Sequence, residues 1–210
     1  MFTTQNIADT YDQIGLNFSA TREKLSPEII SLLPKLKNDA RVLDLGCGNG
    51  VLLTALPDGI NYTGLDISQT LIQEAKRKHP NQEFVLADLL DNSAWDKLGR
   101  YDLIVALAVF HHLPAPDDHF KLLQSIKQHL NPNGTVLISN WRLLQAKFDH
   151  FRTDPKHLAI PFHNGINRNF YAFTDSELHE KIRDLGFTQT KSITAKDNLY
   201  LVTKLGLDNK

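Results

Sequence analysis

The chain is short of several features that would each mark a class of protein. It has one cysteine, Cys47, in 210 residues. No disulfide can form within it, and a zinc cluster built on several cysteines is excluded. That usage fits a reducing compartment, and cytoplasm is the expected location. Long apolar runs are missing: the longest, Leu103 to Phe110, is far too short to span a bilayer. The opening residues Met1 to Thr10 show no basic stretch followed by an apolar one, so neither secretion nor membrane insertion is expected. Charge of one sign is lacking as well, with 23 Lys and Arg against 24 Asp and Glu and a formal net charge of −1. The chain as a whole is therefore no trap for polyanions, and any nucleic-acid contact must rest on a local patch or a partner. No histidine pair of the H-x-x-x-H type appears, and no metal is expected.

What is present is an ordinary globular balance, 41% hydrophobic and 22% charged. From Arg41 onward, short apolar runs alternate with longer stretches of helical period, the pattern of βα units around a sheet covered on both faces. Strands are expected at 41–45, 61–65, 83–87, 103–108 and 135–140. Ser68 suits the cap of a helix bearing Leu71, Ile72 and Ala75, whose end carries Lys76, Arg77 and Lys78. A second helix should start near Asp117 and bury Leu122, Leu123, Ile126 and Leu130 before the break Asn131-Pro132-Asn133-Gly134. Thr174 with Glu177 is a capping-box signature ahead of Leu178, Ile182 and Leu185. Two last strands, at 188–194 and 199–204, close the sheet as an antiparallel hairpin. The expected fold is α/β and doubly wound, with a seven-stranded, mostly parallel sheet. Residues 141–173 have the weakest periodicity, and a loop of that length within a domain is often functional.

The sharpest local signal is Val42-Leu43-Asp44-Leu45-Gly46-Cys47-Gly48-Asn49-Gly50, a strand running into a glycine-rich turn with a helix expected at Val51. Glycines there let the backbone turn tightly and approach a ligand. Asp66 closes the second strand twenty residues after Gly46 and can accept from ribose hydroxyls. Asp88 and Leu89 follow the third strand, where an adenine would lie. A dinucleotide fingerprint wants a glycine three residues after Gly48, but Val51 stands there, and the acidic Asp44 suits a cationic amino group better than a pyrophosphate.

These motifs resemble those of class I S-adenosylmethionine-dependent methyltransferases, over about residues 41–204. The resemblance implies S-adenosylmethionine as cofactor, with Asp44 near its amino group, Gly46, Cys47 and Gly48 beneath it, and Asp66 on its ribose. Asp88 and Leu89 would flank the adenine, and Ile67 and, on the fourth strand, Ala106 complete the expected cofactor-binding set. One domain, 1–210, is expected: a helical cap at 1–40, a cofactor half at 41–140, a substrate loop region at 141–173, and a terminal helix and hairpin. Cys47 reads as a small residue in a packed turn.

Methyl transfer from a sulfonium mainly demands alignment and exclusion of water. A hydroxyl acceptor needs a base, whereas a carboxylate needs a cation to orient it, ideally a bidentate arginine. Ala108-Val109-Phe110-His111-His112-Leu113 places two histidines where the fourth strand ends. Adjacent histidines are not both expected to face the site; at least one touches substrate, or both serve packing. Tyr11-Asp12-Gln13-Ile14, Phe18-Ser19-Ala20-Thr21-Arg22, the histidine pair, Trp141, Ile160-Pro161 and Arg168-Asn169-Phe170-Tyr171-Ala172-Phe173 together resemble the tRNA wobble-uridine carboxymethyl methyltransferases. That resemblance implies Arg22 with His111 or His112 as catalytic residues and Tyr11, Trp141, Arg168 and Tyr171 in the substrate pocket. It also implies tRNA and a small activator protein as partners. A small-molecule O- or N-methyltransferase with a histidine base is the alternative, and a cofactor-binding scaffold subunit is a third.

Overall fold

Strands that bury both faces need apolar residues at nearly every position, and the runs after Arg41 supply them. Val42, Leu43, Leu45, Leu65, Leu103, Ile104, Val105 and Ala106 have essentially no exposed surface. The computed structural model describes residues 2–162 and 165–206. β1 (Arg41–Leu45), β2 (Asn61–Asp66), β3 (Glu83–Leu86), β4 (Tyr101–Leu107) and β5 (Leu130–Trp141) run parallel, and β8 (Phe187–Ala195) with β9 (Asn198–Leu205) adds the antiparallel edge. The order is β3-β2-β1-β4-β5-β9-β8. The strand order reverses between β1 and β4, and a crevice opens there at the carboxyl ends of the strands.

Among the described residues five α-helices accompany the sheet: α1 (Thr4–Ala20), α2 (Pro27–Leu32), α3 (Gln69–Lys78), α4 (Pro116–His129) and α5 (Asp175–Asp184). Local chemistry sets their starts. Ser26, Ser68 and Thr174 each accept from a backbone N–H of the first turn, and Thr174 and Glu177 close the expected capping box. α1 has its own capping box, from Thr3 and Asn6. It is held on the domain by Asp12, whose Oδ1 accepts from the Ser68 hydroxyl at 2.7 Å and the Thr70 N–H at 3.0 Å. One carboxylate thereby satisfies a free donor at the start of α3 and anchors α1 over the crevice.

Some boundaries differ from expectation. The segment after the glycine loop is a 3₁₀ turn, Val51–Ala55, in place of an α-helix. α4 ends at His129, so Leu130 opens β5 where it was expected to close the helix, and β5 passes through the Asn131–Gly134 break with a register shift against β4. Residues 141–173 form a small unit: a 3₁₀ turn (Ala146–Phe151) and an antiparallel hairpin of β6 (His157–Pro161) and β7 (Asn167–Tyr171). Leu143, Phe148, Leu158, Ile160, Phe170 and Ala172 give it an apolar cluster of its own. Two five-residue strands carry too few repeats for period to reveal them. Asp12→Ala is expected to loosen α1 without unfolding the sheet, seen as faster tryptic cleavage at Arg22 and Lys24 while the amides of β1, β2 and β4 keep their protection from hydrogen exchange.

Candidate functional site

A cavity of about 490 Å³ lies over the carboxyl ends of the central strands, with Ile7, Tyr11 and Phe18 of α1 among the residues around it. That is within the range of pockets that enclose a small ligand. Its floor is the glycine loop. Gly46 and Gly48 have φ of +66° and +53°; a Cβ on Gly46 would lie 2.7 Å from Val109, while nothing stands within 4 Å of the Cβ position on Gly48. A side chain at the first would collide, and the backbone at the second is open. The loop is held from below by Asp66, whose carboxylate accepts the Gly48 N–H at 2.8 Å and the Ser68 N–H at 2.9 Å. Asp44, next to the loop, accepts from the Tyr62 hydroxyl at 2.8 Å. Burial raises both carboxyls above the usual range, Asp44 to about 7, and the bonds they accept oppose the rise. Asp88 also lines this end, so the floor presents three acidic groups.

The other end of the cavity is cationic and aromatic. Arg168 on β7 is buried, its guanidinium 4.8 Å from the Phe162 ring centre, 5.4 Å from Phe170 and 5.7 Å from Trp141. Among the described residues its Nε has no hydrogen-bond partner and no carboxylate pairs with it. Arg22, just past α1, lies over Phe18 at 4.9 Å and is likewise without a carboxylate among the described residues. Burial and the nearby Arg168 charge lower its pKa. The Tyr11 hydroxyl is 3.1 Å from His112 Nε2, and burial pushes that phenol up to about 12 against the pull of Arg168. His111 Nδ1 sits 3.0 Å from Asn140 Oδ1 and 3.1 Å from the Trp141 amide nitrogen. Burial drives His111 down to about 3 and His112 well below its ordinary value, so both rings are neutral at pH 7.

The family pattern described as "Methyltransferase domain" matches residues 18–192. The chain belongs to that family. It is 34% identical over 131 residues to a tRNA (carboxymethyluridine(34)-5-O)-methyltransferase of Arabidopsis thaliana, covering 62% of this chain and 31% of that one. It is 34% identical over 141 residues to trans-aconitate 2-methyltransferase of Escherichia coli, covering 64% and 53%. The chain thus spans about a third to a half of these curated relatives. Among solved structures, an S-adenosylmethionine-dependent methyltransferase from Methanosarcina mazei superposes with a TM-score of 0.69 at 17% identity, over 88% of this chain and 100% of that one. A chain from the complex of the Haloferax volcanii Trm112 methyltransferase activator with a methyltransferase gives 0.74 at 17%, over 97% and 99%. The shared property is the fold.

Asp44, Gly46, Cys47, Gly48, Asp66, Ile67, Asp88 and Leu89 all line the cavity, as do Tyr11, Arg22, His111, His112, Trp141 and Arg168. Ala106 does not: it is fully buried within β4 between Leu45 and Ile138, and Leu107 and Ala108 reach the cavity instead. Tyr171, expected in the substrate pocket, does not line the cavity either. On β7 it alternates away from Arg168 and Phe170 and packs against His119, His157 and Phe173. The two histidines do both line the cavity, because the turn at Phe110–His112 is a 3₁₀ turn with their ring centres 4.6 Å apart. Phe170 and Asn49 were missed. Period 2 along β7 points to Phe170 once the strand is known, whereas Asn49, which donates to the Ser19 and Arg22 carbonyls, has no signal beyond its place in the glycine loop.

No helix of the described residues is long and apolar enough to cross a membrane. Among them, no group of three or more His, Cys, Asp and Glu is placed to hold a metal ion. His111 takes up its proton on unfolding throughout the window between about 3 and the ordinary 6.5, so it subtracts stability as pH falls through that window. Its imidazole nitrogen shifts in a long-range proton–nitrogen NMR spectrum should stay those of a neutral ring from about pH 8 down to about pH 5.

Proposed function

We propose that the chain uses S-adenosylmethionine to form a methyl ester on an acceptor carboxylate, with the carboxymethyl group of a modified wobble uridine in tRNA as acceptor. The observation that carries the carboxylate is Arg168: a buried guanidinium with a partnerless Nε, set among aromatic rings and facing the cavity. A buried charge without a counter-ion is costly, and an incoming carboxylate would relieve that cost through a charge-assisted, bidentate pair.

The acidic floor suits the cofactor. Asp44 would take its amino group and Asp66 its ribose hydroxyls through lone pairs not used by Gly48 and Ser68. Ile67, Asp88 and Leu89 would border the adenine. Bound there, S-adenosylmethionine supplies an electrophilic methyl group on a sulfonium. Arg168 and Arg22 then orient the acceptor, Trp141 and Phe170 offer faces for a base to stack on, and α1 keeps water out. A carboxylate has no proton to lose, so the site needs no general base. That agrees with His111, whose low pKa makes it a weak proton acceptor, and weighs against a histidine-dependent hydroxyl methyltransferase.

A small carboxylic acid is the second reading, favoured by the likeness to trans-aconitate 2-methyltransferase and by the balanced net charge, which offers no long-range pull on RNA. A small activator protein is a proposed partner, on the precedent of the Haloferax volcanii complex. The test is transfer of labelled methyl to tRNA bearing carboxymethyluridine and, separately, to a panel of di- and tricarboxylic acids, each with and without an activator subunit. Label should appear in base-labile ester. Arg168→Met should lower kcat/KM by at least about a hundredfold, the cost of losing a charged bidentate contact, while cofactor affinity by calorimetry stays within about twofold. A base-stable methyl product would overturn the carboxylate reading.

A further inference from the structure

Asp44 is the deepest of the acids on the floor, 3% exposed, and its position depends on a feature of β2 that the cofactor motif does not contain. β1 and β2 pair in parallel with Asp44 opposite Gly64, and Tyr62 precedes Gly64 by two positions on the same face of β2. Any side chain at 64 would block the path between Tyr62 and Asp44. A Cβ built there would lie 2.9 Å from the Tyr62 hydroxyl oxygen and 2.9 Å from Cys47 Sγ. With glycine in place, the Tyr62 side chain lies across the gap and donates its O–H to Asp44 Oδ2 at 2.8 Å. Tyr62 itself is pinned, 3% exposed and edge-on to Phe84 with ring centres 5.6 Å apart.

We propose that Tyr62, passing over Gly64, is a positioning residue for cofactor binding: its hydroxyl holds Asp44 as an oriented carboxylate, ready for the cofactor's ammonium group. The inference rests on the cofactor reading above and adds a pH dependence to it. A buried carboxylate with no donor would take up a proton and could no longer receive an ammonium hydrogen bond. Tyr62 opposes that, and its own pKa is pushed well above the ordinary range by burial and the adjacent Asp44, so it remains a donor at any working pH. The other titratable groups around Asp44 are Asp66 from β2, which disfavours its ionisation, and the Cys47 thiol from the loop, raised by burial and inert. β4, on the other flank, sets the apolar Val105 opposite it.

The test is calorimetric titration of the full chain with S-adenosylhomocysteine from about pH 5.5 to about pH 9, for the wild type, Tyr62→Phe, Gly64→Ala and Asp44→Asn. Wild-type affinity should fall as pH drops below about 7, where Asp44 protonates. In Tyr62→Phe the ring still fills its space, and loss of a bond to a charged acceptor should move that acid limb up by about one pH unit. Affinity near pH 9 should change less than about threefold. Gly64→Ala should shift the limb the same way by displacing the hydroxyl, and Asp44→Asn should bind weakly with no limb. A limb in Tyr62→Phe that coincides with the wild type overturns the proposal, as does one that persists in Asp44→Asn. Should the variants not fold, the wild-type Tyr62 ring decides: a Tyr62 Cζ carbon-13 shift that steps together with the titration of the Asp44 carboxyl supports the proposal, and a Tyr62 shift that does not follow that titration overturns it. Absence of wild-type binding at every pH overturns the cofactor reading and this one together.

Discussion

The carboxylate of Asp66 is the point on which the site depends. One oxygen accepts the Gly48 N–H and the other the Ser68 N–H, so a single buried group fixes the glycine loop and the start of α3. Ser68 passes the constraint on, because its hydroxyl donates to Asp12 on α1. Floor, flank and roof of the cavity are therefore registered through one chain of short hydrogen bonds. Each link is shielded from water at least on one side, where a bond of this kind contributes more than it would in solvent.

Around that frame the cavity is divided by charge. The floor, made by the ends of β1, β2 and β3, is acidic, with Asp44, Asp66 and Asp88. The far side is built from the tail of α1, the turn after β4 and the added hairpin, and presents Arg22 and Arg168 without acidic partners among the described residues. The floor complements a positively charged group, and the wall a negatively charged one. The neutral histidines lie between them as shape and hydrogen-bond surface. The hydrogen bond between Tyr11 and His112 ties α1 to the turn after β4, next to Arg168 on the hairpin.

Much of the first half of the sheet, β1 to β5, was legible because its signals are local. Glycines where φ must be positive, a capping serine at Ser68 and unbroken apolar strands are each demanded by a few neighbouring residues, and each stands where expected. Errors gathered where burial or register decides. Ala106 looked like a strand-end contact but lies one residue too early, inside β4. Tyr171 and Phe170 exchanged roles because the face of a five-residue strand is set by pairing with β6, which no periodicity in so short a stretch announces. The histidines were expected to diverge, as they would on an extended loop, yet a 3₁₀ turn brings both to the cavity.

The doubly wound sheet, the glycine loop and the acidic residues at the ends of β1, β2 and β3 can be read from the chain alone, because each follows from backbone sterics and patterning within a dozen residues. It takes the assembled fold to make Arg168 a buried cation with no carboxylate partner among the described residues, to carry Tyr62 across Gly64 to Asp44, and to let Asp12 anchor α1 to α3. Those contacts join residues that are far apart in sequence or on neighbouring strands. Their energies come from burial and from partners brought in by the fold, and neither is a property of the local chain.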